Sequence, residues 1–191
     1  AVDRIIGGLE KKNKIIKPRE KKTIAYHEAG HASVSWLLEH ANPLVKVTIV
    51  PRGQALGAAW YLPEERQITT KAQLLDQMVS LLGGRAAEEL VFGEVSTGAL
   101  NDLERVTKQA YAMVVYYGLD KEIGNLSFYD SSGQSEYGFQ KPFSEKTAEK
   151  IDAQIRTMVE EAYEKAKSLL KDNREKLDAL AQILVEREVI F

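Results

Sequence analysis

The segment "TIAYHEAGHASVSWLLEH", residues 23–40, carries all three histidines of the chain and constrains it more than any other stretch. Its apolar residues keep helical spacing, and Pro18 followed by Arg19 and Glu20 suits a first turn, so a helix over about residues 18–39 is expected. Lys17 would be a poor N-cap for it. On that helix His27 and His31 stand four residues apart, one turn above the other, and their imidazoles can converge on one metal ion with bonds of about 2.0–2.1 Å. Glu28 lies beside the pair, where its carboxylate can hold and deprotonate a water. An H-E-x-x-H window is expected by chance only ~0.005 times in a chain of this composition, which makes coincidence a poor account of the motif. The same stripe continues through Val34 and Leu38, so the histidines face the interior. Buried imidazoles without partners are costly, whereas coordination satisfies the ligating nitrogens and leaves one N–H on each ring for an acceptor.

A catalytic zinc keeps three protein ligands and an open position, so a third ligand is needed. The chain has no cysteine. His40 lies on the opposite side of the helix from His31 and about 13 Å further along, which makes it a surface residue near the helix end. The longer H-x-x-G-x-x-H extension is missing, since Val34 and Leu37 stand where its glycine and histidine would be. A carboxylate must complete the set. Glu88 and Glu89 in "GGRAAEELVFG" are candidates, as is Asp102 in "STGALNDLERVT", which opens a long helix whose positive end helps keep a carboxylate ionised. Residue chemistry alone leaves the choice open.

The rest of the chain frames this site. At 191 residues it can bury the core of one domain, or of two packed lobes with the second at about 144–191. Lys and Arg number 26 against 28 Asp and Glu, so no charge bias points to nucleic acid, which is not expected as a partner. No apolar run of about 18 residues and no signal-peptide core occur, so this piece is expected to be soluble. The absence of cysteine excludes disulfides and thiolate chemistry and is consistent with a reducing compartment. The start at Ala1 suits a piece of a longer protein, and residues 1–22 read as a linker. "LVKVTIVPRG" and "ALGAAWYLP" read as two neighbouring strands or a β-hairpin, with Gly57 and the alanines giving a side-chain-poor edge that another backbone can approach. "TTKAQLLDQMVSLLGGRAAEELVFG" is helical with a break at Gly83-Gly84. A long amphipathic helix follows, with Leu103, Val106, Ala110, Met113, Val114 and Tyr117 on one face and Gly118 at its end. "NLSFYD" reads as a short extended piece and "SSGQSEYGFQKP" as a surface loop. Ser144 caps a helix carrying Ile151, Ile155, Met158, Ala162 and Leu169 on one face. Asp172 with Glu175 opens a last helix to about Glu188. The fold class expected is mainly α, with a small β element after the first helix and helices at the C-terminus.

"AYHEAGHA", "VTIVPRGQALG", "YLP", "GGRAAEELVFGEVSTGALNDLERVT" and "ILVEREVI" together resemble, in order and spacing, the peptidase domain of the FtsH family of membrane-anchored AAA+ zinc proteases, across essentially the whole chain. The resemblance implies that residues 23–191 form a zinc peptidase domain and that zinc (Zn2+) is held by His27, His31 and Asp102, with Glu28 as general base. Glu88 and Glu89 then become structural or supporting residues. It further implies ATP-dependent proteolysis, in which an AAA+ ATPase module of the same parent chain unfolds polypeptides, membrane proteins included, and feeds them to a homo-hexameric ring. The strand carrying "ALGAAWYL" would be the edge that pairs with extended substrate. The parent protein would be membrane-anchored, in a bacterial inner membrane with the peptidase in the cytoplasm, or in a mitochondrial or chloroplast membrane, serving membrane protein quality control. Departures from the family pattern are Lys17 before the first helix and Ser33 and Ser35 within it; no phosphate-binding loop occurs in these residues, so ATP would act only through a module outside them. Two other readings share the motif: a zinc hydrolase of a small amide, and a non-catalytic ring that keeps zinc for stability.

Overall fold

The computed structural model describes residues 17–51, 56–62, 67–129 and 142–191. Helix α1 spans Pro18–Leu37. Glu20 reaches back to accept the Lys17 N–H at 3.4 Å, which supplies the start that Lys17's own side chain cannot. From Ile24 to Ser35 every residue of the helix but the half-buried Tyr26 is buried, because alanines and glycine stand among the motif residues and let neighbours approach closely.

Strands β1 (Leu44–Thr48) and β2 (Ala58–Tyr61) pair antiparallel, with Val47 opposite Ala59 and Thr48 opposite Ala58. A third strand, β3 (Val189–Ile190), adds to the far side of β1, giving the order β2-β1-β3 with β2 at an edge. The hairpin expectation holds for β1 and β2; β3 is an addition to it. Two residues carry too little pattern to be read as a strand, and the Glu188 carbonyl supplies the guide by accepting from Ile49 N–H at 2.9 Å.

Helix α2 (Lys71–Phe92) starts at a capping box, where the Thr70 hydroxyl accepts from Gln73 N–H and the Gln73 side chain from Thr70 N–H, and ends at Gly93 with φ 70°. It runs unbroken through Gly83-Gly84, which corrects the expected break. Glycine weakens a helix but does not end one when the missing side chains make room for a close crossing. A methyl on Gly30 would overlap the Gly83 carbonyl oxygen, and one on Gly83 would come 2.7 Å from the Gly30 carbonyl oxygen. The two helices cross at these glycines.

A short 3₁₀ turn (Thr97–Ala99) leads into α3 (Leu100–Tyr111), which widens into a π-helical turn over Ala112–Tyr116 and stops at Gly118, φ 61°. Val106, Ala110, Met113 and Val114 face the core, Leu103 packs at its margin, and Tyr117 turns out to solvent because the wide turn rotates it off the buried face. Helix α4 (Glu145–Asp172) begins at the Ser144 cap, whose hydroxyl accepts from Thr147 N–H. The expected Asp172–Glu175 capping box is absent: Asp172 is the last residue of α4, and α5 (Arg174–Arg187) starts after Asn173, whose carbonyl takes the first N–H groups. The surface loop expected at residues 131–142 lies outside the described residues apart from Pro142, as do residues 1–16 of the linker expected at 1–22, whose residues 18–22 form the opening of α1. No described helix is long and apolar enough to cross a membrane.

Candidate metal centre

His27 and His31 occupy the buried middle of α1, and Asp102 reaches them from the first turn of α3. The two Nε2 atoms are 3.0 Å apart, and Asp102 Oδ2 lies 3.4 Å from the first and 3.3 Å from the second. Among the described residues these three side chains form the group able to hold a metal ion. Their triangle fits zinc: bonds of about 2.0–2.1 Å in a tetrahedron put donors roughly 3.3 Å apart.

The outward nitrogens fix which atoms face the centre. His31 Nδ1 lies 2.9 Å from the Ser80 carbonyl, which can only accept, so Nδ1 carries a proton and Nε2 is the nitrogen turned to the centre. His27 Nδ1 lies 2.6 Å from Glu88 Oε1, and the other Glu88 oxygen accepts the Ser96 N–H at 2.7 Å. Glu88 thus holds the back of His27 and also anchors the segment that leads to Asp102. Glu89, one residue on, accepts from the Tyr163 hydroxyl at 2.5 Å and stands 3.6 Å from Lys167 Nζ, joining α2 to α4. Of the three candidate carboxylates, Asp102 alone reaches the Nε2 pair, and His40 sits beyond α1 with its backbone N–H on Asp76.

Electrostatically the centre is a trap for positive charge. Burial lowers the His27 pKa, but hydrogen bonds to Asp102 and Glu88 and the nearby charge of Glu28 outweigh it and push the group up to about 10. Burial would likewise raise the Asp102 carboxyl, yet its hydrogen bonds to His27 and His31 hold it well below the usual carboxylate range. Glu88 is lowered, the His27 and Ser96 hydrogen bonds overcoming its burial. Glu28 moves the other way: burial raises it, and the two histidines offset that in part. A buried carboxyl that binds a proton more tightly than in water suits a proton shuttle.

Two glycines shape the space around these groups. A methyl on Gly84 would stand 2.6 Å from His27 Nε2, His27 Cε1 and His31 Nε2, so α2 leaves its bare backbone to face the imidazoles. A methyl on Gly57 would stand 2.6 Å from Glu28 Oε1. Gly57 therefore makes room for the Glu28 carboxylate, a reason separate from the close approach of another chain. Sequence reading misses both roles, and it misses the Ser80 carbonyl and Ser96 N–H because backbone donors and acceptors leave no residue signature.

The model of peptidase family M41 matches residues 14–191. The chain is 65% identical over its whole length to the ATP-dependent zinc metalloprotease FtsH of Parabacteroides distasonis, of which it covers 28%. It is 55% identical over 98% of its length to the protein of the same name from Karelsulcia muelleri, covering 30% of it. It is 48% identical over its whole length to mouse AFG3L2, a mitochondrial inner membrane m-AAA protease component, covering 24%. The chain spans less than a third of the length of these curated relatives. The histidine pair with its glutamate, the helix-borne aspartate and the match over nearly all residues agree: the chain belongs to peptidase family M41.

Proposed function

We propose that this chain is the zinc endopeptidase part of an ATP-dependent protease, with His27, His31 and Asp102 holding the zinc and Glu28 handling the proton of the attacking water. The observation that carries it is the triangle of two Nε2 atoms and Oδ2 with a buried carboxylate beside it. When bound there, zinc supplies the Lewis acidity that polarises a peptide carbonyl and acidifies water.

The chain's own residues do the remaining work. Glu28 accepts the proton of the attacking water and gives it to the departing amide nitrogen, so the C–N bond breaks with no net change in the enzyme. Its raised pKa makes it a better proton acceptor than an exposed carboxylate. Glu88 and the Ser80 carbonyl hold the two rings in the orientation that presents both lone pairs. The side of β2 that no described strand pairs with offers main-chain donors and acceptors to an extended polypeptide, which favours polymeric substrate over a small amide. In the parent protein we place an AAA+ unfoldase ahead of this part, a homo-hexameric ring, a membrane anchor, and unfolded or membrane polypeptides as substrates. The relatives' names support ATP dependence, zinc and, for AFG3L2, a mitochondrial inner membrane setting.

Glu28→Gln tests the reading. It should keep zinc and lose cleavage of an unfolded protein by several hundredfold or more. Full activity in this variant would remove Glu28 from the chemistry, and hydrolysis confined to small amides would remove the polypeptide from the reading.

A further inference from the structure

Strand β2 lies along α1 and touches it at both ends. At one end Gly57 backs onto the Glu28 carboxylate. At the other, the Tyr61 hydroxyl is 3.1 Å from Ser35 Oγ, one helical turn beyond His31. Gly57, Ala59 and Tyr61 share one face of the strand, and four residues of strand span about 13 Å, close to the roughly 10 Å that α1 rises between Glu28 and Ser35. The strand is held in parallel with the helix that carries the metal donors.

The Tyr61 end is a closed knot of hydroxyls. Ser35 Oγ lies 2.8 Å from the His31 carbonyl oxygen, 3.1 Å from the Tyr61 hydroxyl and in contact with the Ser80 hydroxyl. Ser35 Oγ directs its one proton toward the His31 carbonyl and the Tyr61 hydroxyl, both as acceptors, and the Ser80 hydroxyl can donate to it in turn. Burial raises the Tyr61 pKa and the hydrogen bonds from Ser35 and Ser80 offset that in part, so the phenol oxygen is held as an acceptor in the knot. Ser80 is also the residue whose carbonyl holds His31 Nδ1. One hydroxyl of the edge strand is therefore two hydrogen bonds from the backbone of a metal donor and three from its ring.

We propose that Tyr61 is a positioning residue: through Ser35 and Ser80 its hydroxyl fixes the register of β2 against α1, and so fixes which peptide bond of an edge-bound polypeptide meets Glu28 and the metal donors. This rests on the reading of the centre as a peptidase and of β2 as its substrate edge. Main-chain pairing to β2 supplies binding without regard to side chains, so register must come from how the strand itself is anchored. Gly57 contributes no side chain, and Tyr61 contributes the directional bond.

The test uses the zinc-loaded chain and an unstructured fluorogenic peptide of about ten residues, long enough to pair along the whole of β2. Wild type should cut one bond. Tyr61→Phe, which keeps the ring and removes the hydroxyl, should keep one zinc per chain and a similar KM. Its kcat should fall about tenfold or more, since displacement of a reacting bond by about 1 Å costs up to ~100-fold, and its products should spread to adjacent bonds by mass spectrometry. Ser35→Ala removes the same tie from the helix side and should give the same spread; it decides the matter if Tyr61→Phe fails to fold. Unchanged kcat with a single cut bond in the variants overturns the proposal. Loss of zinc in them overturns it too, because the knot would then support His31 and not the strand. A wild type that binds zinc and cleaves nothing rejects the peptidase reading and this proposal with it, whereas cleavage with identical products in all three proteins rejects this proposal alone.

Discussion

Replacing Gly84 by alanine should separate the metal centre from the fold that carries it. The added methyl would sit 2.6 Å from both Nε2 atoms, roughly 1 Å inside ordinary van der Waals separation. Imidazoles are side-chain ends and can swing away, so the fold can absorb the contact. The strain of an overfilled site is about 1–3 kcal/mol, and alanine returns up to about 1 kcal/mol of helix propensity over glycine. The metal has no such latitude, because coordination distances hold to within about 0.2 Å, one fifth of the shift required. Disturbing a supporting contact of a zinc ligand already costs about 10- to 100-fold in affinity, and here both donor atoms move. Gly84→Ala should therefore lose at least about 100-fold in zinc affinity, measured by competition with a chelating dye, while the metal-free protein melts within a few degrees of wild type. Zinc affinity within threefold of wild type would refute the placement of the two rings against α2.

Three further outcomes follow from the same geometry. Gly57→Ala pushes the Glu28 carboxylate aside and should lower kcat by about 100-fold with zinc stoichiometry intact, as elemental analysis would show; equal activity would detach Glu28 from that contact. Glu88→Ala leaves the buried His27 Nδ1–H without its acceptor and should weaken zinc binding by about 10- to 100-fold, read by calorimetry, whereas Glu89→Ala should leave it unchanged. In the metal-free protein the folded His27 pKa of about 10 exceeds the ordinary 6.5, so the folded state binds the extra proton between those values. That stability is fully present below about pH 6.5 and falls as pH rises toward 10, so metal-free melting temperature should drop across about pH 7–9 while zinc-loaded protein lacks this slope.

The parts of the molecule legible in the sequence are those encoded within a few turns of chain. His27, Glu28 and His31 reveal themselves because helical spacing alone places them together, and α1, α3 and α4 follow from apolar periodicity. Asp102 is different: the chain brings α3 back to α1 through tertiary packing, which no local pattern records, so residue chemistry leaves it level with Glu88 and Glu89 and only the family resemblance separates them. Gly83-Gly84 is misread for the same reason. Seen along the chain the pair weakens a helix; seen across it, the missing side chains admit Gly30 on one side and the imidazoles on the other. Strand β3 escapes because its two residues are ordered by a partner, β1, far away in sequence. Asp172 resembles a cap only if α4 ends before it, and α4 continues through it.

Zinc content of wild type and of Asp102→Ala, purified side by side, addresses the central claim most directly. Wild type should carry about one zinc per chain and the variant should lose it while remaining folded, because Asp102 lies at the rim of the core. Equal zinc in the two proteins would contradict the claim, since the third donor would then come from some other group and the triangle of His27, His31 and Asp102 would not be the metal centre.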